Sequence, residues 1–241
     1  MKQNRESNSV AVITGTSRGL GKSLAEHFLN QGYRVAGCSR GEGVLNHPFY
    51  FHSSLDVSDE KQVRSWIRGI KKTQGQIDVL ICNAGLVQSA LLLGTTPGDV
   101  MESFLKTNIA GVFYALREAS KIMMLQGKGR IITISSTMVA LHEPGTSVYS
   151  ATKSAVTEMT KILAKELASK GITCNVIAPA MMWTDASEEL SHGGDWQQRM
   201  LQLQTIQRVL KMEELCHVAD FFISPLSSAI TGQVVYLGLV D

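Results

Sequence analysis

The sequence predicts an α/β fold, a doubly wound parallel sheet with helices on both faces, and three observations carry that reading. Short apolar runs rich in β-branched residues alternate with longer stretches of helical period along the whole chain, the pattern of successive βαβ units. The first run passes without a break into a glycine-rich turn and then into a helical pattern. Finally, 241 residues, of which 44% are hydrophobic and 18% charged, suit an ordered chain with one well-buried core.

Strands are expected at Val10–Thr14, Arg34–Cys38, Phe49–Ser53, Val79–Cys82, Arg130–Ser135, Thr173–Ile177 and Val234–Leu237, enough for one sheet of about seven. Helices are expected at Leu20–Gln31, Glu60–Thr73, Asp99–Gln126, Val148–Ser169, Ser187–Gln204 and Glu213–Ile223, with Asp59 and Ser147 placed to cap two of them. Because strand-to-strand crossovers are right-handed, these elements wind into one doubly wound sheet. No repeat, low-complexity stretch or Pro/Gly linker divides the chain, so residues 1–241 are read as a single domain. The polar residues 1–9 are expected to be flexible. Residues 181–211, with weak apolar periodicity and Gly193-Gly194 inside, are expected to form a lid over a substrate pocket.

Bulk properties exclude several function classes. A net charge of +2 with no Lys/Arg run argues against nucleic acid. Cys38, Cys82, Cys174 and Cys216 are far apart and form no Cys-x-x-Cys pair, so neither a metal site nor a disulfide framework is expected. No signal-peptide pattern opens the sequence and no apolar run reaches the roughly 18 residues of a membrane span, so a cytoplasmic protein is expected.

The first strand runs into Thr14-Gly15-Thr16-Ser17-Arg18-Gly19-Leu20-Gly21, and a helical pattern follows at once. Glycines at a strand-to-helix turn let the backbone approach a pyrophosphate, toward which the helix start directs unpaired N–H groups. At the end of the second strand, where a carboxylate would bind the ribose hydroxyls of NAD, stands Cys38-Ser39-Arg40. Ser39, Arg40 and the loop residue Arg18 can hold a ribose 2′-phosphate through charge-assisted bonds, which points to NADP(H); the alternative is that these arginines are solvated surface charges. Asp56-Val57 after the third strand is open to two readings, an acceptor for the adenine amino group or a turn residue. Asn83-Ala84-Gly85 ends the fourth strand at the edge where such sheets bind ligands, with residues small enough for a ribose to lie close.

Tyr149 and Lys153 stand four residues apart and therefore on one helix face. A tyrosine has a reference pKa of about 10, and a neighbouring ammonium that stabilises phenolate makes the phenol a better acid. Ser136 follows the fifth strand at the same carboxyl edge and can hold a carbonyl oxygen. Asn108, a poor helix former inside a long expected helix, has either a polar task or a place in a bend.

Thr14 to Gly21, Asn83-Ala84-Gly85, Asn108, Ser136, Tyr149 and Lys153 together resemble, in order and spacing, the short-chain dehydrogenase/reductase family over nearly the whole chain. Within it the sequence is most similar to the 3-oxoacyl-(acyl carrier protein) reductases, through Gly129 to Ser136, Asn175-Val176-Ile177-Ala178-Pro179 and Ile230-Thr231-Gly232-Gln233. The resemblance implies a Rossmann-type fold, NADP(H) and a homo-oligomer, tetramer or dimer, that buries the long helices bearing Asn108 and Tyr149. It implies that Tyr149 is the general acid, that Ser136 orients the carbonyl, and that Lys153 binds the nicotinamide ribose and lowers the Tyr149 pKa. By the same resemblance Asn108 holds a water in a proton relay, and Pro179 and Thr184 border the nicotinamide. The implied substrate is a 3-oxoacyl thioester, with an acyl carrier protein as a possible partner near Lys128, Arg130 and Lys170. Pro179-Ala180 stands in place of the family's Pro-Gly, Met181-Met182-Trp183 is bulkier than usual, and Leu237-Gly238-Leu239 replaces Asp-Gly-Gly. These departures leave open a ketoreductase of a specialised polyketide-like pathway or of free ketones. A non-catalytic dinucleotide-binding subunit is the reading from a different class.

Overall fold

The computed structural model describes residues 8–87, 91–182 and 194–240. Its strands are β1 (Val10–Thr14), β2 (Arg34–Ser39), β3 (Tyr50–Ser54), β4 (Val79–Cys82), β5 (Gly129–Ile134), β6 (Ile172–Pro179) and β7 (Val234–Leu237). They form one sheet in the order β3-β2-β1-β4-β5-β6-β7, with every neighbouring pair parallel.

The central strands β1, β4 and β6 are buried at every position because both their faces are covered. In β1 the period of two divides the side chains: Val10 and Val12 enter one core, Ala11 and Ile13 the other. The first core packs under α2 (Glu60–Gln74), α4 (Gly111–Gln126) and α6 (Ser147–Leu167), through residues such as Ile67, Ala115 and Val156. The second packs under α1 (Gly19–Asn30) and the penultimate helix Met212–Ile223, through Leu24, Phe28, Leu215 and Phe222. Burying one such Leu or Phe side chain contributes about 1.5–3 kcal/mol. All four cysteines are reduced and buried, packed as small apolar residues.

Local signals set the helix ends. Asp59 accepts hydrogen bonds from Lys61 N (2.8 Å) and Gln62 N (3.0 Å) and so caps α2. Ser147, expected to cap α6, is instead its first residue; Thr146 holds the cap position, and its hydroxyl donates to Glu143 O (2.7 Å) in the preceding turn. The expected helix Asp99–Gln126 is α3 (Gly98–Phe104), a π-helical turn (Leu105–Ala110) and α4 in unbroken succession. A short α5 (Met138–Leu141) follows β5. The helix expected at Ser187–Gln204 is α7 (Gly194–Leu203); residues 183–193 lie outside the described residues. Met212–Ile223 is α8. No helix among the described residues is long and apolar enough to cross a membrane.

The fold switches direction between β1 and β4. The chain builds outward through β2 and β3, then returns to place β4 on the other side of β1. Connections leaving the carboxyl ends of β1 and β4 therefore diverge and open a crevice between them.

Across the sheet from this crevice's catalytic helices, His27 of α1 meets Asp220 of α8 with Nε2 3.1 Å from a carboxylate oxygen. That bond, seconded by Cys216, raises the His27 pKa from 6.5 to about 10. A folded-state pKa above the unfolded one means that the stabilisation is complete below about pH 6.5 and is lost as pH rises through about 10. Asp220→Asn should therefore lower stability by about 1 kcal/mol near neutrality, the pair being partly solvated. Urea midpoints of the two proteins should converge above pH 10.

Candidate active site

A cavity of about 430 Å³ lies along the carboxyl edge of the sheet. Its first wall is the turn after β1, where Gly15, Ser17, Arg18, Gly19 and Leu20 line the space. Gly15 and Gly19 have φ of 78° and 55°, a region that favours glycine. α1 starts at Gly19 without a side-chain cap and without an acidic residue in its first turn, so its opening N–H groups face the cavity uncompensated. Gly21 does not line the cavity. It lies beneath the turn, where a Cβ would overlap Gly15 O and Asn83 Nδ2.

The turn is locked to the end of β4. Thr14 Oγ1 accepts from the N–H groups of Asn83 and Ala84, both at 3.0 Å. In return Asn83 Nδ2 donates to Thr14 O (3.0 Å) and Gly15 O (3.1 Å). Asn83, Ala84 and Gly85 then form the cavity floor. Thr14, which the sequence reading placed at the head of the glycine motif without a role of its own, is a structural member of the site; a hydroxyl ending an apolar run was its signal.

Ser39 and Arg40 at the end of β2, with Asp56 and Val57 after β3, close one end of the cavity. Arg40 is exposed and has no acidic partner among the described residues. Asp56 Oδ1 accepts from Ser58 N (2.9 Å), so the turn role is realised while the residue also borders the cavity.

Ser136, Tyr149, Lys153 and Pro179 line the opposite end of the same cavity. Tyr149 and Lys153 sit one turn apart on α6, with Lys153 Nζ 5.8 Å from the phenol ring centre. Lys153 is 7% exposed; its ammonium donates to Ile134 O (2.8 Å) at the end of β5. Burial pulls its pKa down to about 8. Burial pushes the Tyr149 phenol above its ordinary value, and the hydrogen bond with Ser136 opposes that rise. In this environment the shift of Tyr149 is set by its own desolvation and by the Ser136 bond. Tyr149 accordingly stands as a neutral phenol, the form that can donate a proton.

Asn108 lies in the π turn, 1% exposed and one step behind the cavity wall. Its Oδ1 accepts from Leu86 N (2.7 Å), and its Nδ2 donates to Leu86 O (3.1 Å) and Thr152 Oγ1 (3.1 Å). The side chain thus ties the segment after Gly85 to α6, a bond set that the expected water-holding role did not include. π turns recur at functional sites because the extra residue re-aims a side chain, as it does here.

Several further residues complete the walls. Met138, Met181, Met182 and Met200, the last from α7, form an apolar thioether surface beside Tyr149. Only the motif Met181-Met182 had drawn notice in the sequence. Thr184 falls outside the described residues. His142 is exposed, with φ of 53°, and does not line the cavity. Lys128 and Lys170 precede β5 and β6 and Arg130 is the second residue of β5, so all three lie at the amino-terminal edge, opposite the cavity within this chain. Lys128 pairs with Asp78 (2.9 Å) and Arg130 donates to Gly129 O (2.9 Å).

A family model described as enoyl-(acyl carrier protein) reductase matches residues 15–238. The chain belongs to the short-chain dehydrogenase/reductase family. Among curated relatives, the 3-oxoacyl-[acyl-carrier-protein] reductase FabG of Staphylococcus aureus (strain N315) is 32% identical over 237 residues, 94% of this chain and 95% of the relative. The protein of the same name from Salmonella typhimurium is 32% identical over 234 residues, covering 95% of each. Among solved structures, ElxO with NADP bound has a TM-score of 0.88 and 30% identity over 95% of this chain and 97% of its own. A 3-ketoacyl-(acyl-carrier-protein) reductase from Brucella melitensis complexed with NADH has a TM-score of 0.87 over 95% of this chain and 96% of its own; at 24% identity that likeness speaks to the fold. This short-chain dehydrogenase/reductase is an oxidoreductase.

Because the first turn of this short-chain dehydrogenase/reductase has no room for a methyl group at residue 21, Gly21→Ala should cost about 1–3 kcal/mol. A fall in the urea midpoint, where Gly69→Ala on the open face of α2 should instead raise it, checks this.

Proposed function

We propose that the protein reduces the carbonyl of a 3-oxoacyl thioester to the 3-hydroxyacyl product with NADPH as reductant. The observation that carries the reading is that Ser136, Tyr149 and Lys153 share one cavity with the glycine turn after β1. The cofactor fits the residues present. Gly15 and Gly19 present main chain alone where a pyrophosphate must approach, uncapped N–H groups of α1 supply the anion site, and Arg40, without an acidic partner among the described residues, offers a cation beside Ser39.

When bound, the dihydronicotinamide supplies the hydride. The remaining work falls to side chains. Ser136 donates a hydrogen bond that holds the substrate oxygen in reach of Tyr149, and Tyr149 delivers the proton from its neutral phenol. Lys153, poised with a pKa of about 8, offers its ammonium to the nicotinamide ribose and stabilises the phenolate left behind. Asn108 keeps the Asn83 to Leu86 floor at a fixed height through its Leu86 bonds. Pro179 and Thr184 complete the nicotinamide border in this reading.

The names of the relatives and the apolar methionine wall support an acyl substrate. That same wall, bulkier than in the family pattern, favours as a second reading a ketoreductase for a differently shaped or free ketone. A cytoplasmic enzyme with residues 181–211 as a lid, working as a homodimer or homotetramer, belongs to this proposal. Phe113, Leu125 and Ile162 expose large apolar side chains on α4 and α6, the faces such an assembly would cover.

Tyr149→Phe should lower kcat by about 10²–10⁴-fold while NADPH binding, followed by fluorescence, is kept. A wild type that binds NADPH but oxidises it with no carrier-bound or free 3-oxo substrate would reveal a non-catalytic binder. Comparing carrier-linked, coenzyme A-linked and free 3-oxo substrates separates the two substrate readings. Arg40→Asp should raise KM for NADPH far more than for NADH, and an unchanged ratio removes the cofactor assignment.

A further inference from the structure

Beneath Ser39 and Arg40 runs a chain of hydrogen bonds that the proposed chemistry does not use. Thr16 Oγ1, in the glycine turn, is 2.7 Å from Tyr50 Oη on β3. Tyr50 Oη is 3.1 Å from Nδ1 of His52, two residues along the same strand. His52 Nε2 is 2.9 Å from Gly41 O and 3.3 Å from Ser39 Oγ. Donor accounting assigns one direction. A carbonyl only accepts, so His52 Nε2 carries the proton and donates to Gly41 O. In the contacts of Tyr50 Oη with His52 Nδ1 and with Thr16 Oγ1 either atom can donate, and Thr16 Oγ1 also donates to Cys38 O (3.4 Å).

The chain joins two segments that face phosphate. At one end is the turn that approaches the pyrophosphate, and at the other is the Ser39-Arg40-Gly41 turn that closes the cavity. Gly41 O is held from three sides, by His52 Nε2, by Ser54 Oγ (3.0 Å) and by Ser39 Oγ (3.1 Å). Arg40 has no acidic partner among the described residues, so the turn sets where its side chain starts and no ion pair holds its guanidinium elsewhere. Two glycines make room for the arrangement: a Cβ on Gly37 would lie 2.6 Å from Tyr50 Oη, and one on Gly43 would lie 2.9 Å from His52 Cβ. Core packing does not demand a histidine here, because every residue of β3 is at least partly exposed.

We propose that His52 is a positioning residue for cofactor choice, holding the Ser39-Arg40-Gly41 turn in the shape that presents the Arg40 guanidinium to a ribose 2′-phosphate. This rests on the NADPH reading above. It adds that discrimination between phosphorylated and plain ribose depends on a strand, β3, that bears none of the phosphate-contacting groups.

The test is a calorimetric titration of the purified protein with adenosine 2′,5′-bisphosphate and with adenosine 5′-monophosphate, which differ only at the ribose 2′ position and need no turnover. His52→Leu should weaken the bisphosphate by about tenfold and the monophosphate by less than about twofold, the scale of one or two lost hydrogen bonds. His52→Gln, whose amide can still donate to Gly41 O, should stay within about threefold of the wild type for both. KM for NADPH should rise in His52→Leu with kcat unchanged. Equal weakening of both probes, or of neither, overturns the proposal. Should His52→Leu fail to fold, His52→Gln and His52→Asn carry the test, since the shorter amide does not reach Gly41; equal preferences in those two overturn it. Wild type that binds both probes alike would sink the NADPH reading itself. A wild-type preference that Arg40→Asp abolishes and His52→Leu retains would sink this inference alone.

Discussion

The reciprocal bonds between Thr14 and the Asn83-Ala84 segment hold the site together where the sheet changes direction. Strands β1 and β4 are neighbours, yet the chain leaves them toward opposite faces, so nothing in the βαβ windings ties their loops to each other. A threonine hydroxyl that accepts two main-chain N–H groups, answered by an asparagine amide that donates to two main-chain carbonyls, supplies that tie. Buried polar groups satisfied in this manner define one geometry, because any slip leaves several of them unpaired. The glycine turn can then come within contact of the cavity floor.

Much of this was legible in the residues. Strand positions appeared in the apolar runs because both faces of a parallel strand must be apolar, and the ends of β1, β4 and β7 fell where expected. Asp59 announced α2 through cap chemistry. Site membership of Ser136, Tyr149 and Lys153 was readable because each sits at the carboxyl end of β5 or on the helix that follows. What escaped the reading depended on tertiary contacts. The π turn has no local sequence mark beyond an awkward asparagine, and Ser147 lost its capping role to a neighbour whose hydroxyl looked backward. Thr16, Tyr50 and His52 come together across 36 positions of chain, a separation at which spacing carries no information.

Desolvation dominates the electrostatics at the catalytic end. A buried phenol resists ionisation, and a buried ammonium gives up its proton more readily, so both groups move toward their neutral forms. The remaining charge is sited elsewhere: Arg18 and Arg40 border the opposite end of the cavity, near the helix start. One crevice thus offers an anion-seeking end and an end where burial disfavours charge, an asymmetry that suits a long ligand with a charged head and a neutral reactive tip.

The π turn at Leu105–Ala110 gives the longest helical run of the molecule an unusual independence. It stores one residue more than regular winding would hold, and that surplus is what swings residue 108 inward onto Leu86. The flanking helices keep their own packing on either side, α4 against α2 and α3 near α6. Excising a single residue there would let the turn rewind as ordinary helix, leaving the scaffold's contacts largely in place while the inward-facing amide rotates off its target. The architecture therefore separates what keeps the protein folded from what keeps its crevice in order, within one continuous rod.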